Sequence, residues 1–233
     1  MKQPVFESPQ FRGIRQEVCQ ILRKAIFDGL YEPGQQIYEA EIAKKLQLSR
    51  GPVREALLQL EKESLILNVF NKGWFVIDLT PDQITEITSM RVILEVLALK
   101  TARKRVNGRQ LKKLVRIQES MLELFQKEDY TNAIQRDFDF HREIWKIAGH
   151  GVLEESATRL TTPYFAFLKM SKIHKGFRME SFYEGLENHH AMLDYLAGKT
   201  EKSAEWCIRN HFAPLTYQDW RILLDTINKE EDD

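Results

Sequence analysis

The sequence predicts a mainly α-helical chain of 233 residues, in which a winged helix-turn-helix occupies residues 1–80 and an all-helical bundle occupies residues 81–233. Three observations support this division. Two short helical patterns and a β-hairpin pattern follow one another within residues 37–80. Helical spacing continues through residues 81–233 without a competing strand pattern. Thr80-Pro81 marks the boundary, because proline interrupts the last strand and Asp82 opens a long helical stretch.

The helix-turn-helix pattern starts with a short amphipathic helix at residues 41–46. Gln47-Leu48 is a connection of the length that two crossed helices require. Ser49 is the predicted N-cap of the second helix, and Pro52 is tolerated because it lies in the first turn. This second helix has a predicted buried stripe at helical spacing, formed by Val53, Ala56, Leu57 and Leu60.

The exposed N-terminal end of the second helix carries a pattern typical of DNA recognition. Arg50 and Arg54 lie one turn apart on one face, where guanidinium groups can reach guanine edges or phosphates in the major groove. Gly51 between them allows the backbone to approach DNA closely. The pattern therefore predicts double-stranded DNA as a partner of this helix.

A hairpin wing is predicted after the second helix. Leu65, Leu67 and Val69 alternate with other residues, as do Phe75 and Ile77, and the two runs flank the turn-forming segment Asn71-Lys72-Gly73. The tip of such a wing can contact a phosphate or the minor groove. A solvated turn is the alternative interpretation of the same residues.

Charge and composition restrict the partners and the location. The chain has 34 Lys and Arg against 34 Asp and Glu, so DNA binding is inferred from the placement of side chains and not from a basic domain. Such a neutral domain would depend on a dimer that presents two recognition helices to a palindromic operator. The sequence contains no stretch that approaches the roughly 20 apolar residues of a membrane span. We expect a cytoplasmic protein without a membrane partner.

The C-terminal half is predicted to contain six helices separated by turn-forming residues. Their approximate bounds are 82–106, 109–127, 130–148, 151–171, 180–197 and 200–227.

A candidate metal site lies among these helices. Asp137 and His141 lie one turn apart on the predicted inward face of the third helix, while His189 and His211 face inward from the fifth and sixth. A buried carboxylate is costly unless it is paired or bound to a metal, and three converging imidazoles would complete such a site. This donor set suits one divalent ion per chain, namely zinc, nickel, iron or manganese. An ion pair or a satisfied core histidine is the alternative for the Asp137 and His141 pair.

The N-terminal motifs resemble a known family. Asp28-Gly-Leu-Tyr-Glu-Pro-Gly34, Ser49-Arg-Gly-Pro-Val-Arg-Glu-Ala-Leu57 and Gly73-Trp-Phe-Val76 are similar to the N-terminal domain of the GntR family of bacterial transcription regulators. The resemblance implies operator contacts at Ser49, Arg50, Gly51 and Arg54 and wing contacts at Lys72 and Gly73. The family commonly has threonine at the position of Gly51, which offers no hydroxyl group, and this difference affects base preference.

The C-terminal motifs resemble the FadR-type C-terminal domain, FCD, in its metal-binding branch. These motifs are Asp137-Phe-Asp-Phe-His141, Glu187-Asn-His-His-Ala-Met-Leu193 and His211, and the six predicted helices suggest the VanR-like subgroup. The resemblance implies that the metal ligands are Asp137, His141, His189 and His211. Arg91-Val-Ile-Leu-Glu95 matches the Arg-x-x-Leu-Glu pattern of the first FCD helix.

Together these patterns predict a ligand-responsive transcription regulator and not an enzyme, with repression as the default implied by the resemblance. Four protein ligands leave two positions of an octahedral metal site open, and a small carboxylate effector could occupy them. Arg91 is the candidate cation that binds the other end of this effector. A surface or interdomain ion pair is the alternative role for Arg91. A metal-dependent enzyme in the bundle and a metal-free sensor of an organic ligand are the alternative functions. The resemblance favours a homodimer in which some apolar residues of the first and fourth FCD helices face a partner subunit, and helices buried on two sides are the alternative. The residues include Leu94, Leu97, Leu99, Tyr164, Phe165 and Phe167.

Overall fold

Three helices and a small antiparallel sheet form the N-terminal part of the protein. The computed structural model describes residues 11–171 and 179–212. Within them the chain order is α1 Phe11–Phe27, β1 Gln36–Ile37, α2 Glu39–Leu46, α3 Arg50–Lys62, β2 Ile66–Val69 and β3 Gly73–Val76. The strand order in the sheet is β1-β3-β2, and both pairings are antiparallel. The sequence analysis did not assign α1 or β1.

The predicted helix-turn-helix is present as α2 and α3. Gln47 ends α2 in the left-handed conformation with a φ of 54°, and its backbone N–H bonds to the carbonyl groups of the last turn, which turns the chain sharply toward α3. Ser49 occupies the N-cap position of α3 with extended backbone angles, although its side chain makes no capping hydrogen bond. The predicted stripe is buried on α3, at Val53, Ala56, Leu57 and Leu60.

The wing is present, but the face that it buries differs from the predicted alternation. Leu67 and Val69 of β2 are exposed, and Ile66 is the buried residue of that strand. On β3 the buried side chains are Trp74 and Val76, and Ile66 is paired with Val76. Because side chains alternate across a strand, a shift of one residue in the assumed register exchanges the two faces. The pattern of apolar residues alone did not fix this register.

The C-terminal part consists of helices in the described residues. In chain order they are α4 Pro81–Arg103, α5 Gly108–Gln126, α6 Tyr130–Ala148, α7 Gly151–Ser171, α8 Met179–Glu187, α9 His189–Ala197 and α10 Ala204–Phe212. The predicted fifth helix is divided into α8 and α9 at Asn188. Of the predicted sixth helix, residues 213–227 lie outside the described residues, as does His174.

Helix α6 forms the centre of this bundle and packs against α4, α5 and α7. Its buried residues occupy more than one face, and Phe140, Ile144 and Trp145 are fully enclosed. A helix enclosed on several sides can direct polar side chains only toward other protein groups or a bound ligand. The position of α6 therefore determines where Asp137 and His141 point.

The chain separates into two compact units, Met1–Asp78 and Leu79–Asp233, and the predicted boundary at residues 80 and 81 lies close to this division. Within the described residues, no helix has the length and apolar character needed to cross a membrane.

The residues predicted to form a dimer surface have different environments. Leu99, Tyr164 and Phe165 are buried inside this chain and cannot contribute to an exposed interface. On α4 the exposed apolar side chains are instead Met90, Ile93 and Leu97, with exposed fractions of 50%, 42% and 45%. These three residues follow the alternative of helices buried on two sides, because they fill the space between helices of the bundle.

Helix α4 starts with a capping box that provides a test of local stability. The Thr80 side chain accepts a hydrogen bond from the Gln83 backbone N–H at 3.2 Å, and the Gln83 side chain accepts one from the Thr80 N–H at 3.0 Å. We expect Thr80→Ala to lower the free energy of unfolding by about 1 kcal/mol, because the cap is lost. Urea unfolding followed by circular dichroism measures this change.

Thr85→Ala is the matched control, since the Thr85 hydroxyl donates to the Pro81 carbonyl group within the same helix and caps nothing. Equal losses in the two variants would contradict a specific role for the cap.

Candidate functional site

The candidate DNA surface brings the start of α3 close to the wing. Arg50 and Gly51 are exposed in the first turn of α3, and Arg54 is exposed one turn later. Arg54 Nε donates to Glu39 Oε2 at 3.0 Å, so the start of α2 orients this guanidinium group. Ser49 is also exposed, and its hydroxyl group is not used to cap the helix. The side chains of Ser49, Arg50 and Arg54 and the backbone of Gly51 can therefore face a nucleic acid together.

The tip of the wing lies beside this surface. Arg50, Arg54, Lys72 and Gly73 line one groove between α3 and the wing. Gly73 has a φ of +93°, a conformation that side chains rarely adopt, and Gln36 of β1 donates to the Lys72 carbonyl oxygen. The structure therefore brings together the residues predicted from α3 and from the wing. Phe70, which the sequence analysis did not assign, is 87% exposed at the same tip.

A second cluster lies inside the helical bundle. It contains Asp137 and His141 from α6, His189 from α9 and His211 from α10, and all four residues are buried. One potential ligand atom from each residue can be chosen so that all four lie within 4.8 Å of one another. The structure thus brings together all four residues that the sequence analysis predicted as metal ligands.

The imidazole groups direct their Nε2 atoms toward Asp137 or toward one another. His189 Nε2 lies 3.0 Å from Asp137 Oδ1 and 3.4 Å from His141 Nε2. His141 Nε2 lies 3.5 Å from the same carboxylate oxygen. Asp137 Oδ1 and His211 Nε2 are buried, and neither has an aligned hydrogen-bond partner among the described residues. A buried acceptor without a partner raises the free energy of the folded state. A cation bound among these atoms would remove this cost.

The opposite nitrogen of each imidazole is held by another group. Nδ1 of His189 lies 2.9 Å from the Leu186 carbonyl oxygen, and Nδ1 of His211 lies 2.9 Å from that of Gly185. Nδ1 of His141 lies 2.9 Å from Glu95 Oε1, although this contact is not well aligned for a hydrogen bond. A proton on each Nδ1 leaves a lone pair on Nε2. This arrangement of outer contacts is typical of histidines that bind metals.

The protonation equilibria fit the same donor set. Burial would raise the pKa of Asp137, but the close His141 and His189 imidazoles hold this pKa well below its usual value. Burial lowers the pKa of His189, and burial with the nearby charges of His189 and His141 holds the pKa of His211 well below its usual value. Burial is the largest influence on His141 and opposes its charged form, but the Glu95 charge and the contacts with Asp137 and Glu95 together raise the pKa. These directions favour the anion of Asp137 and the neutral forms of His189 and His211, which are the states of metal ligands, whereas the raised pKa of His141 favours its charged form.

Arg91 is enclosed near this cluster and not on the surface. It is 2% exposed, and its guanidinium carbon lies 4.7 Å from the ring centres of both Phe165 and Phe212. Its Nε atom is 3.4 Å from Glu95 Oε1, while Nη2 has no hydrogen-bond partner among the described residues. Arg91 thus lies inward, and its ion pair among the described residues is with the buried Glu95 and not on the surface.

Two further buried residues belong to this network and were not assigned a role from the sequence. Glu95 approaches both Arg91 and His141, and Trp145 Nε1 donates to Glu95 Oε2 at 3.1 Å. The sequence did indicate that Arg91 and Glu95 need partners, because charged residues at core positions of a helix are rarely buried without one. Which helices meet could not be read from these positions. His190 is exposed beside His189, because adjacent side chains on a helix point about 100° apart.

Comparisons with known proteins identify both parts of the chain. Residues 14–76 match the family described as bacterial regulatory proteins, gntR family, and residues 86–214 match the FCD domain. The chain belongs to the GntR family. It is 30% identical to the gluconate operon transcriptional repressor of Bacillus subtilis over 80% of this chain and 76% of that protein. It is 40% identical to the regulator YdhC of the same organism, but that match covers only 34% of this chain and 35% of YdhC.

Solved structures show the same fold. Escherichia coli McbR/YncC matches with a TM-score of 0.65 at 21% identity, covering 94% of this chain and 98% of that one. A GntR regulator from Rhodococcus sp. RHA1 matches with a TM-score of 0.63 at 23% identity, covering 88% and 100%. This GntR-family protein is therefore a DNA-binding transcription regulator with a winged helix-turn-helix and an FCD domain. Its family and these relatives are regulators and not enzymes.

The position of Arg50 generates a test of the DNA surface of this GntR-family chain. We expect Arg50→Ala to weaken binding to a fluorescent DNA duplex, obtained by in vitro selection with the wild-type protein, by about 1 to 3 kcal/mol if the guanidinium group contacts a base. Fluorescence anisotropy at fixed salt measures the change. Lys62→Ala is the control, because Lys62 is exposed at the opposite end of α3. Unchanged binding by Arg50→Ala would remove Arg50 from the DNA contacts.

Proposed function

We propose that this protein is a ligand-responsive regulator, acting as a repressor, in which a divalent metal at Asp137, His141, His189 and His211 forms part of the pocket for a small carboxylate effector. The observation that carries the proposal is the convergence of four buried donors, of which Asp137 Oδ1 and His211 Nε2 lack aligned partners among the described residues. Oxygen and imidazole nitrogen donors suit zinc, nickel, iron or manganese, and geometry alone does not select one of them.

The charge inside the bundle supports a carboxylate effector. Arg91 and Glu95 carry opposite charges and offset each other in the interior. A divalent ion beside the single charge of Asp137 leaves one positive charge in excess. Because an unbalanced buried charge is costly, a ligand with one carboxylate would complete the site. When bound, the metal supplies a Lewis-acidic centre for this carboxylate, and protein residues supply the rest of the recognition.

Arg91 is the proposed cation for the effector. Its Nη2 atom is a buried donor without a partner among the described residues, and the rings of Phe165 and Phe212 limit where the guanidinium group can move. A guanidinium group held in a fixed orientation can bind a carboxylate with two parallel hydrogen bonds. The same residue lies on α4, so a change in its contacts acts directly on this helix.

The proposed regulatory unit is a homodimer bound to a palindromic operator. On α4, Met90, Ile93 and Leu97 are exposed at positions that share one side of a helix. A second copy of the chain would cover this apolar surface, and the dimer would set the distance between two recognition helices. Ser49, Arg50, Gly51 and Arg54, with Lys72 and Gly73 of the wing, are the proposed DNA contacts.

Metal content tests the central part of the proposal. Protein purified without a histidine tag or chelator should contain about one metal ion per chain, since four converging donors form one site. His189→Ala should lose it, whereas His190→Ala should retain it because His190 is exposed on the adjacent position. Elemental analysis by mass spectrometry makes both measurements. Absence of metal from the wild type, with no stabilisation by added zinc, nickel, iron or manganese, would favour the metal-free sensor.

The role of Arg91 is tested with simple carboxylates. In metal-loaded protein, a panel of small monocarboxylates and dicarboxylates should include compounds that raise the melting temperature, because binding to the folded state stabilises it. We expect Arg91→Met to abolish this increase while it retains the metal. Arg103→Met is the control. Arg103 lies on α4, as Arg91 does, and also contacts aromatic rings through Tyr195, but its side chain is exposed. An equal response in wild type and Arg91→Met would exclude Arg91 from effector binding.

A further inference from the structure

Glu95 occupies a position between the candidate metal ligands and the candidate effector cation. It is 1% exposed, and Oε1 lies 2.9 Å from His141 Nδ1 and 3.4 Å from Arg91 Nε. Oε2 accepts a hydrogen bond from Trp145 Nε1 at 3.1 Å. Both oxygens of one buried carboxylate are therefore engaged, and a single oxygen is shared by two groups with separate proposed roles.

We propose that Glu95 is a positioning residue that couples the metal to the effector, an inference that rests on the proposed function. The Glu95 carboxylate lies against the Nδ1 side of His141 and would thereby direct the Nε2 lone pair toward the candidate metal site beside Asp137. The same oxygen also attracts Arg91. Trp145 restrains the other oxygen, so the carboxylate cannot rotate freely toward either partner. The metal ligand and the effector cation thus compete for Glu95 Oε1.

This competition gives the coupling a direction. An anion that pairs with Arg91 draws the guanidinium group away from Glu95 and leaves Oε1 to His141. The electron-donating strength of an imidazole increases when a carboxylate accepts from its other nitrogen, so the anion should tighten metal binding. By linkage, the metal should tighten anion binding by the same factor. Neither effect requires the anion to contact His141.

The contacts also distinguish this role from a simple buried ion pair. In an ion pair that served stability alone, Arg91 would satisfy the carboxylate and Nη2 would be bonded. Instead, the Arg91 to Glu95 contact is long at 3.4 Å, Nη2 has no partner in the described part of the chain, and the shorter contact joins Glu95 to His141. His141 is thus the nearer neighbour of Glu95 Oε1, while Arg91 makes only one long hydrogen bond to it and keeps Nη2 available for a ligand.

Glu95→Gln in the full-length protein is the first test. His141, Arg91 and Trp145 all present N–H groups, and a glutamine side chain has only one acceptor oxygen, so it cannot reproduce the contacts. We expect metal to bind about 10 to 100 times more weakly, measured by competition with a chelator of known affinity. Glu143→Gln is the matched control, because Glu143 is buried on α6 but pairs with Lys113 at 2.6 Å. Its metal affinity should equal that of the wild type.

Two additional measurements distinguish positioning from a loss of structure. Nitrogen-15 magnetic resonance of the metal-loaded imidazoles should show the His141 Nδ1 proton in wild type and a changed signal in Glu95→Gln. Trp145→Phe keeps an aromatic ring but removes the donor to Oε2, and it should weaken metal binding in the same direction by a smaller factor. This second variant keeps the test decisive if Glu95→Gln does not fold.

Coupling is tested by comparing Arg91→Met in two backgrounds. In the wild-type background it should tighten metal binding, because Oε1 is then left to His141, and in the Glu95→Gln background it should have no such effect. If the wild type binds metal but Glu95→Gln and Trp145→Phe bind it equally well, the role of Glu95 is excluded while the metal site stands. If the wild type binds no metal, the metal site and the role of Glu95 both fail.

Discussion

The negative charge of Asp137 inside the helical bundle is the constraint on which the C-terminal unit depends. The carboxylate is 3% exposed, and its surroundings keep its pKa well below the usual value, so the charge persists. A buried anion must be balanced by a cation within a few ångströms. Protonated His141 could provide part of that balance, but Glu95 already occupies the other side of this imidazole. His189 and His211 favour the neutral state, so the metal ion that we propose is a balancing charge that all four groups could share.

The interruption between α8 and α9 explains how the cluster is assembled. In a continuous helix, the carbonyl groups of Gly185 and Leu186 would bond to backbone amides four residues later. At Asn188 this ladder is broken, and the two carbonyl oxygens lie next to the Nδ1 atoms of His211 and His189. Asn188 also donates to the Asn210 carbonyl group and so fixes the start of α9 beside α10. A local defect in one helix thus orients two imidazoles from two different helices.

The four candidate metal ligands could be predicted from the sequence better than the residues that orient them. Asp137, His141, His189 and His211 could be selected because polar residues at helical core positions are rare and demand partners. The break at Asn188 has no strong signal, since asparagine is compatible with a helix, and its αR backbone angles are ordinary. Glu95 and Trp145 are 50 residues apart, so their hydrogen bond follows from tertiary packing that periodicity does not specify. The buried face of β2 in the wing was mispredicted for a similar reason. Pairing of Ile66 with Val76 of β3, and not the alternation of apolar residues, places Ile66 inward.

Helix α4 is the element through which the cluster could influence the DNA-binding part. It starts at Pro81, directly after the boundary of the two units, and it carries both Arg91 and Glu95. Arg91 lies ten positions after Pro81 on this helix, a length of about 15 Å at the usual rise per residue. The capping box at Thr80 keeps the first turn of this helix formed, so a displacement at Arg91 is not absorbed by fraying of that end. A change in the partners of Arg91 would therefore act on the first helix that follows the N-terminal unit along the chain.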